Sequence, residues 1–339
     1  MADARIVRLC LLGFGNVARE VCRLVAREEN GLAAAHGLRV LVSAAGTRHG
    51  SFLRPAGVPP LELLRLAAAG LPDPPRPAAE LMAASGADVL LEATVMEDDG
   101  APIAAGHIET AFRLGLDVIT VNKGPVAWEY ARLQALAEEL GRRWRFEGSV
   151  ADGMPMFGLL EYCLRSCRLL GFDAIFNATT NFIIDAVGDG RAFDDALAQV
   201  QAEGYAEADP SHDIDGVDAA CKTAALANVA MKAHMTPADI TKESIRGITP
   251  EQVRAARAAG RRLCVLCSAR RRDDGSVDAG VRLTEIPLEH PLAPVKGSSL
   301  GALLHTDLMG DVLIAEMAGL VPQTAYAVLI DLLSLRAPV

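Results

Sequence analysis

The densest run of chemically active side chains is Gly204-Tyr205-Ala206-Glu207-Ala208-Asp209-Pro210-Ser211-His212-Asp213-Ile214-Asp215-Gly216-Val217-Asp218, followed by Ala219-Ala220-Cys221-Lys222. Asp218 and Lys222 stand at i and i+4, so they share a face of the helix that the following Ala, Leu and Val residues predict. Asp215 with Asp218 reads as a capping box, which accounts for two of the carboxylates as helix-start residues. Glu207, Asp213 and a lysine on the inward side of an apolar helix need another reason. An Asp-rich loop with glycine also suggests calcium. Setting Ser211, Asp213, Asp215 and Gly216 at the first, third, fifth and sixth places of an EF-hand loop, however, puts Lys222 at the twelfth, where a bidentate Glu is required. A calcium loop is thereby excluded. Carboxylates beside a lysine suit a site that grips an amino group and moves a proton onto a carbonyl oxygen.

A second lysine stands in Thr120-Val121-Asn122-Lys123-Gly124-Pro125, at the C-terminal end of an expected parallel strand, where open α/β sheets bind ligands. Near the N-terminus, Gly13-Phe14-Gly15-Asn16-Val17-Ala18 follows an expected strand and opens an expected helix, the arrangement that sets a pyrophosphate on a helix N-terminus. Gly13 makes the tight turn, Gly15 lets the ligand approach, and Ala18 allows close helix packing. An NAD site normally adds Asp or Glu after the second strand; residues Ser43 to Arg54 hold no carboxylate but do hold Thr47, Arg48 and His49. This points toward NADP, with Arg48 as the partner of the 2′-phosphate, and leaves NAD as the other cofactor.

These residues need a scaffold, and the first half supplies one by alternating β-rich runs with amphipathic helices. The pairs are Ile6 to Leu12 with Val17 to Arg27, then Leu38 to Ala44, Asp88 to Ala93 with Ile103 to Leu114, and Asp117 to Val121 with Ala127 to Leu140, closed by Trp144 to Glu147. That alternation predicts a Rossmann-type, doubly wound parallel sheet. The Pro-rich stretch Leu71 to Pro77 reads as a surface loop within it. From Gly153 the texture changes to longer helices, Met156 to Arg165, Phe193 to Ala202 and Val217 to Lys232, with strands at Leu169 to Ile175, Arg262 to Ala269 and Ser276 to Leu283. The last two strands form a hairpin through Asp273-Asp274-Gly275. A second, α+β domain for substrate and dimerisation is expected over residues 151–309. Residues 1–150 form the dinucleotide-binding domain, completed by 310–339, where Gly310 to Leu335 reads as apolar at helical spacing.

The composition fits two domains: 339 residues, 51% apolar and 22% charged. A net charge of −10 with only short basic runs argues against nucleic acid. Apolar runs are broken before membrane length, and Arg5 to Phe14 lacks a cleavage-site pattern, so neither a membrane span nor a signal peptide is expected. Seven cysteines, an odd number in mostly apolar surroundings, fit free thiols in a reducing cytoplasm. A four-sulfur zinc site from Cys163, Cys167, Cys264 and Cys267 is disfavoured by those surroundings.

In this combination the sequence resembles the homoserine dehydrogenases, over nearly its whole length. The matching segments run in order. They are the glycine turn at 13–18, Asn122-Lys123-Gly124-Pro125-Val126-Ala127, and Glu147-Gly148-Ser149-Val150-Ala151-Asp152-Gly153-Met154-Pro155. Asn177-Ala178-Thr179-Thr180-Asn181-Phe182-Ile183 follows, then Gly204 to Lys222, and last His290-Pro291-Leu292 with Gly319 to Asp331. The form resembled is the short, monofunctional one, without a kinase or a regulatory domain. The resemblance implies NAD(P)H-dependent, reversible reduction of L-aspartate 4-semialdehyde to L-homoserine, a step toward threonine and methionine, in a cytoplasmic homodimer that pairs through the second-domain sheet.

By the same resemblance Lys123 and Lys222 stand near the reacting carbonyl, and either can supply or relay the proton. Asp218 joins them in catalysis, while Thr179, Glu207 and Asp213 bind substrate. Gly13, Gly15, Asn16, Val17, Arg48, Thr94, Asn122 and Gly319 bind cofactor. Glu147, Val150 and Asp152 hold a monovalent cation. The sequence departs from the family at Ala178 and Asp152, each in place of a glycine, at Cys221 in place of an arginine, and at Met317-Ala318-Gly319 in place of a glycine-rich loop. Ala178 and the Met317 loop leave open a dehydrogenase of another amino-acid aldehyde. A dinucleotide sensor without turnover is the alternative from another class, against which the lysines and carboxylates stand, since a sensor needs only the glycine turn.

Overall fold

The structure, a computed structural model, describes residues 4–97, 100–202, 209–317 and 319–335. It divides into two compact units, one of residues 1–153 and 321–339, the other of residues 154–320.

The first unit is built on a six-stranded sheet. Its strands are β1 (Arg5–Leu12), β2 (Leu38–Thr47), β3 (Gly50–Val58), β4 (Val89–Glu92), β5 (Asp117–Thr120) and β6 (Trp144–Arg145), in the order β3-β2-β1-β4-β5-β6. Strands β2, β1, β4, β5 and β6 run parallel. β1 is apolar along most of its length because helices cover both faces of such a sheet. On one side Ala18, Val21, Cys22 and Val25 of the helix Asn16–Arg27 share a core with Ala325, Val328 and Leu332 of the helix Val321–Ser334. The strand order reverses between β1 and β4, which is where such folds hold their ligands.

One part of this unit departs from the sequence reading. Residues 45–54, beyond the expected strand Leu38 to Ala44, continue β2 and turn back as β3, which pairs antiparallel to it at the sheet edge. The Thr47 hydroxyl accepts from the N–H groups of His49 and Gly50, both at 3.2 Å, and so closes a tight turn with Arg48 at its tip.

The second unit holds another six-stranded sheet, ordered β12-β11-β7-β9-β10-β8. It comprises β7 (Leu169–Ile175), β8 (Thr241–Lys242), β9 (Arg261–Arg271), β10 (Val277–Pro287), β11 (Leu300–Thr306) and β12 (Gly310–Glu316). All neighbours are antiparallel except β8 with β10. β9 and β10 are joined at Asp273-Asp274-Gly275 as expected, with Arg272 N–H bonded to the Ser276 carbonyl at 2.8 Å. The helices Ala178–Gly188, Val217–Met231 and Pro250–Ala258 pack on this sheet.

Two expectations are corrected here. Gly310 to Leu335 is not one helical stretch: residues 310–316 form β12, paired along β11 in the second unit, and the helix begins only at Val321. The run Val312-Leu313-Ile314 fits a strand as well as a helix, and a turn decides between them. In it the Thr306 hydroxyl accepts from Met309 N–H at 3.0 Å and donates to the Gly310 carbonyl at 2.9 Å, with Gly310 at φ +67°. The helix expected over Met156 to Arg165 is a single α turn, Met156–Gly158, that widens into a π-helical turn at Leu159–Cys163.

Candidate active-site clusters

In the first unit, a cavity of about 640 Å³ opens at the strand-order reversal, floored by Gly13, Gly15 and Thr94. Gly13 has φ +86°, and a Cβ there would lie 2.2 Å from the Ala93 carbonyl oxygen, so only glycine fits. A Cβ on Gly15 would meet nothing within 4 Å, so the chain leaves room there for a ligand. Gly15 caps the helix Asn16–Arg27 with no side-chain hydrogen bond, which leaves the first N–H groups of that helix, those of Asn16 and Val17 among them, available to an anion. The site fits a dinucleotide pyrophosphate.

The far rim of the same cavity carries Thr47, Arg48, His49 and Arg76. Arg48 donates to the His49 ring at 2.9 Å. Arg76 escaped the sequence reading because it lies within the Pro-rich loop, which read only as surface. That loop is pinned to β3 by paired backbone bonds between Ser51 and Asp73, at 2.8 and 2.9 Å, and by Ser51 Oγ to the Pro74 carbonyl at 2.6 Å. The excursion therefore brings a second guanidinium to a rim where sequence reasoning found one.

Below the cavity, Asn122 is buried and caps the helix Lys123–Trp128, accepting from Gly124 N–H at 2.9 Å. Its amide donates to the Thr94 carbonyl at 3.2 Å, so it braces the loop after β4. Lys123, expected just after a parallel strand, is the first residue of that helix and is half-buried.

The second unit gathers a polar cluster at the end of β7. Asn177 caps the helix Ala178–Gly188, accepting from Thr180 N–H at 2.9 Å, and its amide donates to Asp213 at 2.7 Å and to Asp218 at 3.1 Å. Lys222 Nζ lies 3.0 Å from Asp218 and donates to the Phe176 carbonyl at 2.8 Å. Burial, then the neighbouring Asp218, pushes the Asp213 carboxyl above its ordinary value, opposed by Asn177, Lys222 and the Thr179 hydroxyl. Asp213, Asp218, Lys222 and Thr179 are thus brought together as the sequence suggested. Asn177, which ties the two carboxylates, was missed as a site residue, although its place at the head of the Asn-Ala-Thr-Thr-Asn motif was the available signal.

The capping box does not form. Gly216, at φ +74°, caps the helix Val217–Met231, while Asp215 turns outward to the Arg246 fork at 2.8 and 2.9 Å and to Ser244 at 2.7 Å. A bidentate guanidinium holds it better than one N–H would. Glu207 lies outside the described residues. Gly319 belongs to the second unit and donates to the Ser298 carbonyl at 3.4 Å. Glu147 is buried, and its N–H donates to Asp331 at 2.8 Å. Val150 is buried beside it in sequence, and Asp152 sits at φ +49°, a left-handed conformation that explains why a glycine could stand there. Burial pushes the thiols of Cys10, Cys22 and Cys267 up to about 12 and that of Cys264 up to about 11, which keeps them protonated.

Residues 155–333 match the family model described as homoserine dehydrogenase, and residues 13–147 match the homoserine dehydrogenase NAD-binding domain. The chain belongs to the homoserine dehydrogenase family. It is 32% identical to the NAD(+)-dependent homoserine dehydrogenase of Pseudomonas canavaninivorans, over 97% of this chain and 96% of that one. Identity to the Mycobacterium bovis homoserine dehydrogenase is 33%, covering 97% of this chain and 72% of the relative. Among solved structures, a homoserine dehydrogenase from Thiobacillus denitrificans superposes with a TM-score of 0.84 at 31% identity, covering 98% of this chain and 73% of that one. A hyperthermophilic archaeal homoserine dehydrogenase in complex with NADPH gives 0.83 at 25% identity, covering 98% and 99%. The chain is accordingly an NAD(P)-dependent oxidoreductase of this family, which works between aspartate semialdehyde and homoserine. No helix among the described residues is long and apolar enough to cross a membrane.

Proposed function

We propose that the Asn177, Asp213, Asp218 and Lys222 cluster binds and protonates L-aspartate 4-semialdehyde, and that the cavity at Gly13 and Gly15 holds the cofactor. The observation that carries this is a lysine less than a fifth exposed, its Nζ between a carboxylate and a backbone carbonyl. Such a cation stabilises a developing alkoxide and can pass it a proton, while Asp213, Thr179 and Glu207 suit the substrate ammonium and hydroxyl contacts. Lys123, at a helix N-terminus, is the second proton-handling group. A bound nicotinamide cofactor supplies the hydride. Gly13, Gly15, Asn16 and Val17 would hold its pyrophosphate, and Thr94 and Asn122 the loop beneath it.

NADP is the favoured cofactor, because two arginines and a histidine line a rim that offers no carboxylate after β2. Glu147 with the carbonyls near Val150 and Asp152 is the place for a monovalent cation, whose ligands would all be oxygens. The domain that binds cofactor ends near residue 150 and is completed by the C-terminal helix, and the remainder binds substrate. Two copies pair through the second-unit sheet, where Leu308, Met309 and Leu313 are exposed, in a reducing cytoplasm. The test is absorbance at the reduced-nicotinamide band with aspartate semialdehyde and NADPH, then NADH. Oxidation that is faster with NADPH and lost in Lys222→Ala is the expected result. Unchanged turnover in Lys222→Ala removes this lysine from the reaction, and no oxidation with either cofactor refutes the substrate.

A further inference from the structure

Glu92, the last residue of β4, is completely buried, yet no arginine or lysine is bonded to it among the described residues. Its Oε1 accepts from Thr94 N–H at 3.2 Å and also bonds the Thr94 hydroxyl. Its Oε2 accepts from the buried Thr120 hydroxyl at 3.3 Å. His107 Nδ1, on the helix Pro102–Arg113, comes within 3.6 Å of Oε1. A carboxylate stripped of water at this depth costs several kcal/mol unless donors surround it, as they do here. Packing alone would be served by an apolar residue.

We propose that Glu92 is a positioning residue for the cofactor, acting through Thr94. This inference rests on the reading of the cavity at Gly13 as the cofactor site. An N–H can only donate, so Oε1 serves as an acceptor for Thr94, and the hydroxyl that shares Oε1 donates to it as well. Thr94 lines the cavity, and with its hydrogen committed its hydroxyl has lone pairs only to offer a ligand there. It therefore takes an O–H or N–H donor from the cofactor, a ribose hydroxyl or the carboxamide NH2. The Asn122 amide, donating to the Thr94 carbonyl at 3.2 Å, holds the same residue from the other side. Between them the two contacts leave Thr94 little freedom to turn its hydroxyl away.

The experiment is a fluorescence titration of the full chain with NADPH. Glu92→Leu and Thr94→Val each weaken binding about tenfold, the size of one lost hydrogen bond, and the double variant is weakened little further because both remove the same contact. Glu92→Gln keeps an oxygen at the Oε1 place and restores most of the affinity, and Thr94→Ser does the same. In steady state the loss falls on the cofactor KM, and kcat stays within a few fold. The 3-acetylpyridine analogue lacks the carboxamide NH2. A Thr94→Val loss that persists with it assigns the ribose hydroxyl, and a loss that vanishes assigns the carboxamide. Wild-type affinity in Thr94→Val, or losses that multiply to about a hundredfold in the double variant, overturns the proposal. Should Glu92→Leu fail to fold, Glu92→Asp, which draws the carboxylate back from Thr94, takes its place: a loss of affinity that disappears in the Thr94→Val background supports the proposal, and unchanged affinity overturns it. Wild-type protein that binds neither NADPH nor NADH refutes the cofactor reading itself, and this inference with it.

Discussion

Replacing Lys222 by methionine separates what this residue does for stability from what it does for chemistry. Methionine keeps the length of the side chain and removes its charge, so Asp218, 3.0 Å from the ammonium in the native protein, loses its cation. Removing one partner of a fully buried pair costs about 3–5 kcal/mol, since the other charge is left uncompensated. Here the side chains of Lys222 and Asp218 remain 18% and 12% exposed. Water reaches them in part, and the expected cost falls to about 2–3 kcal/mol. For a unit of this size that is a drop in Tm of roughly 4–12 °C. Turnover falls further than stability suggests, by about a hundredfold or more, as expected for a lost proton donor. Thermal unfolding by circular dichroism and the reduced-nicotinamide assay read the two effects. Adding Asp218→Asn removes the stranded charge, so Lys222→Met/Asp218→Asn regains most of the melting temperature and none of the turnover. A Lys222→Met protein that melts like wild type shows that Asp218 never relied on this cation. A double variant that regains activity along with stability shows that Lys222 served the fold alone.

Asp213 has a pKa raised in the folded state, chiefly by burial, so the unfolded chain ionises it more readily. Its contribution to stability is therefore lost as pH rises from the ordinary carboxylate range through the raised folded value, and returns on acidification. Asp213→Asn flattens this slope and raises the melting temperature at neutral pH while weakening substrate binding; an unchanged slope in a pH series of melts counts against the assignment. Arg48→Ala and Arg76→Ala each weaken NADPH binding by about ten- to hundredfold and NADH binding far less, as loss of a charge-assisted bond requires. Equal losses for both cofactors show that this rim does not read the 2′-phosphate. Asp215→Ala leaves turnover and melting near wild type, because Asp215 points away from the cluster to an exposed arginine, and a large loss of turnover places it back in the site.

The parts of this protein that the sequence disclosed are those fixed by short-range rules. The Gly13 turn was legible because a left-handed residue against the Ala93 carbonyl admits only glycine. The β9–β10 hairpin was legible because Asp-Asp-Gly can only turn. Asp218 and Lys222 were legible as a pair because helical spacing alone brings them together. What stayed hidden depends on chain segments far apart in sequence. Arg76 reaches the cavity at Gly13 only because Ser51 and Asp73 bridge a Pro-rich excursion to β3. β12 is a strand only because β11 offers it an edge, its own residues fitting either period. The capping-box reading of Asp215 failed for the same reason, since Arg246 lies 31 positions away and no local pattern announces it. Short-range rules thus located the lysine and its carboxylates. The sorting of those carboxylates into Asp213 and Asp218, tied to Asn177, and Asp215, tied to Arg246, is a property of the folded chain. That sorting is what sets the Asp218 carboxylate at bonding distance from Lys222, and it is the reason the stability and activity effects of its removal should come apart.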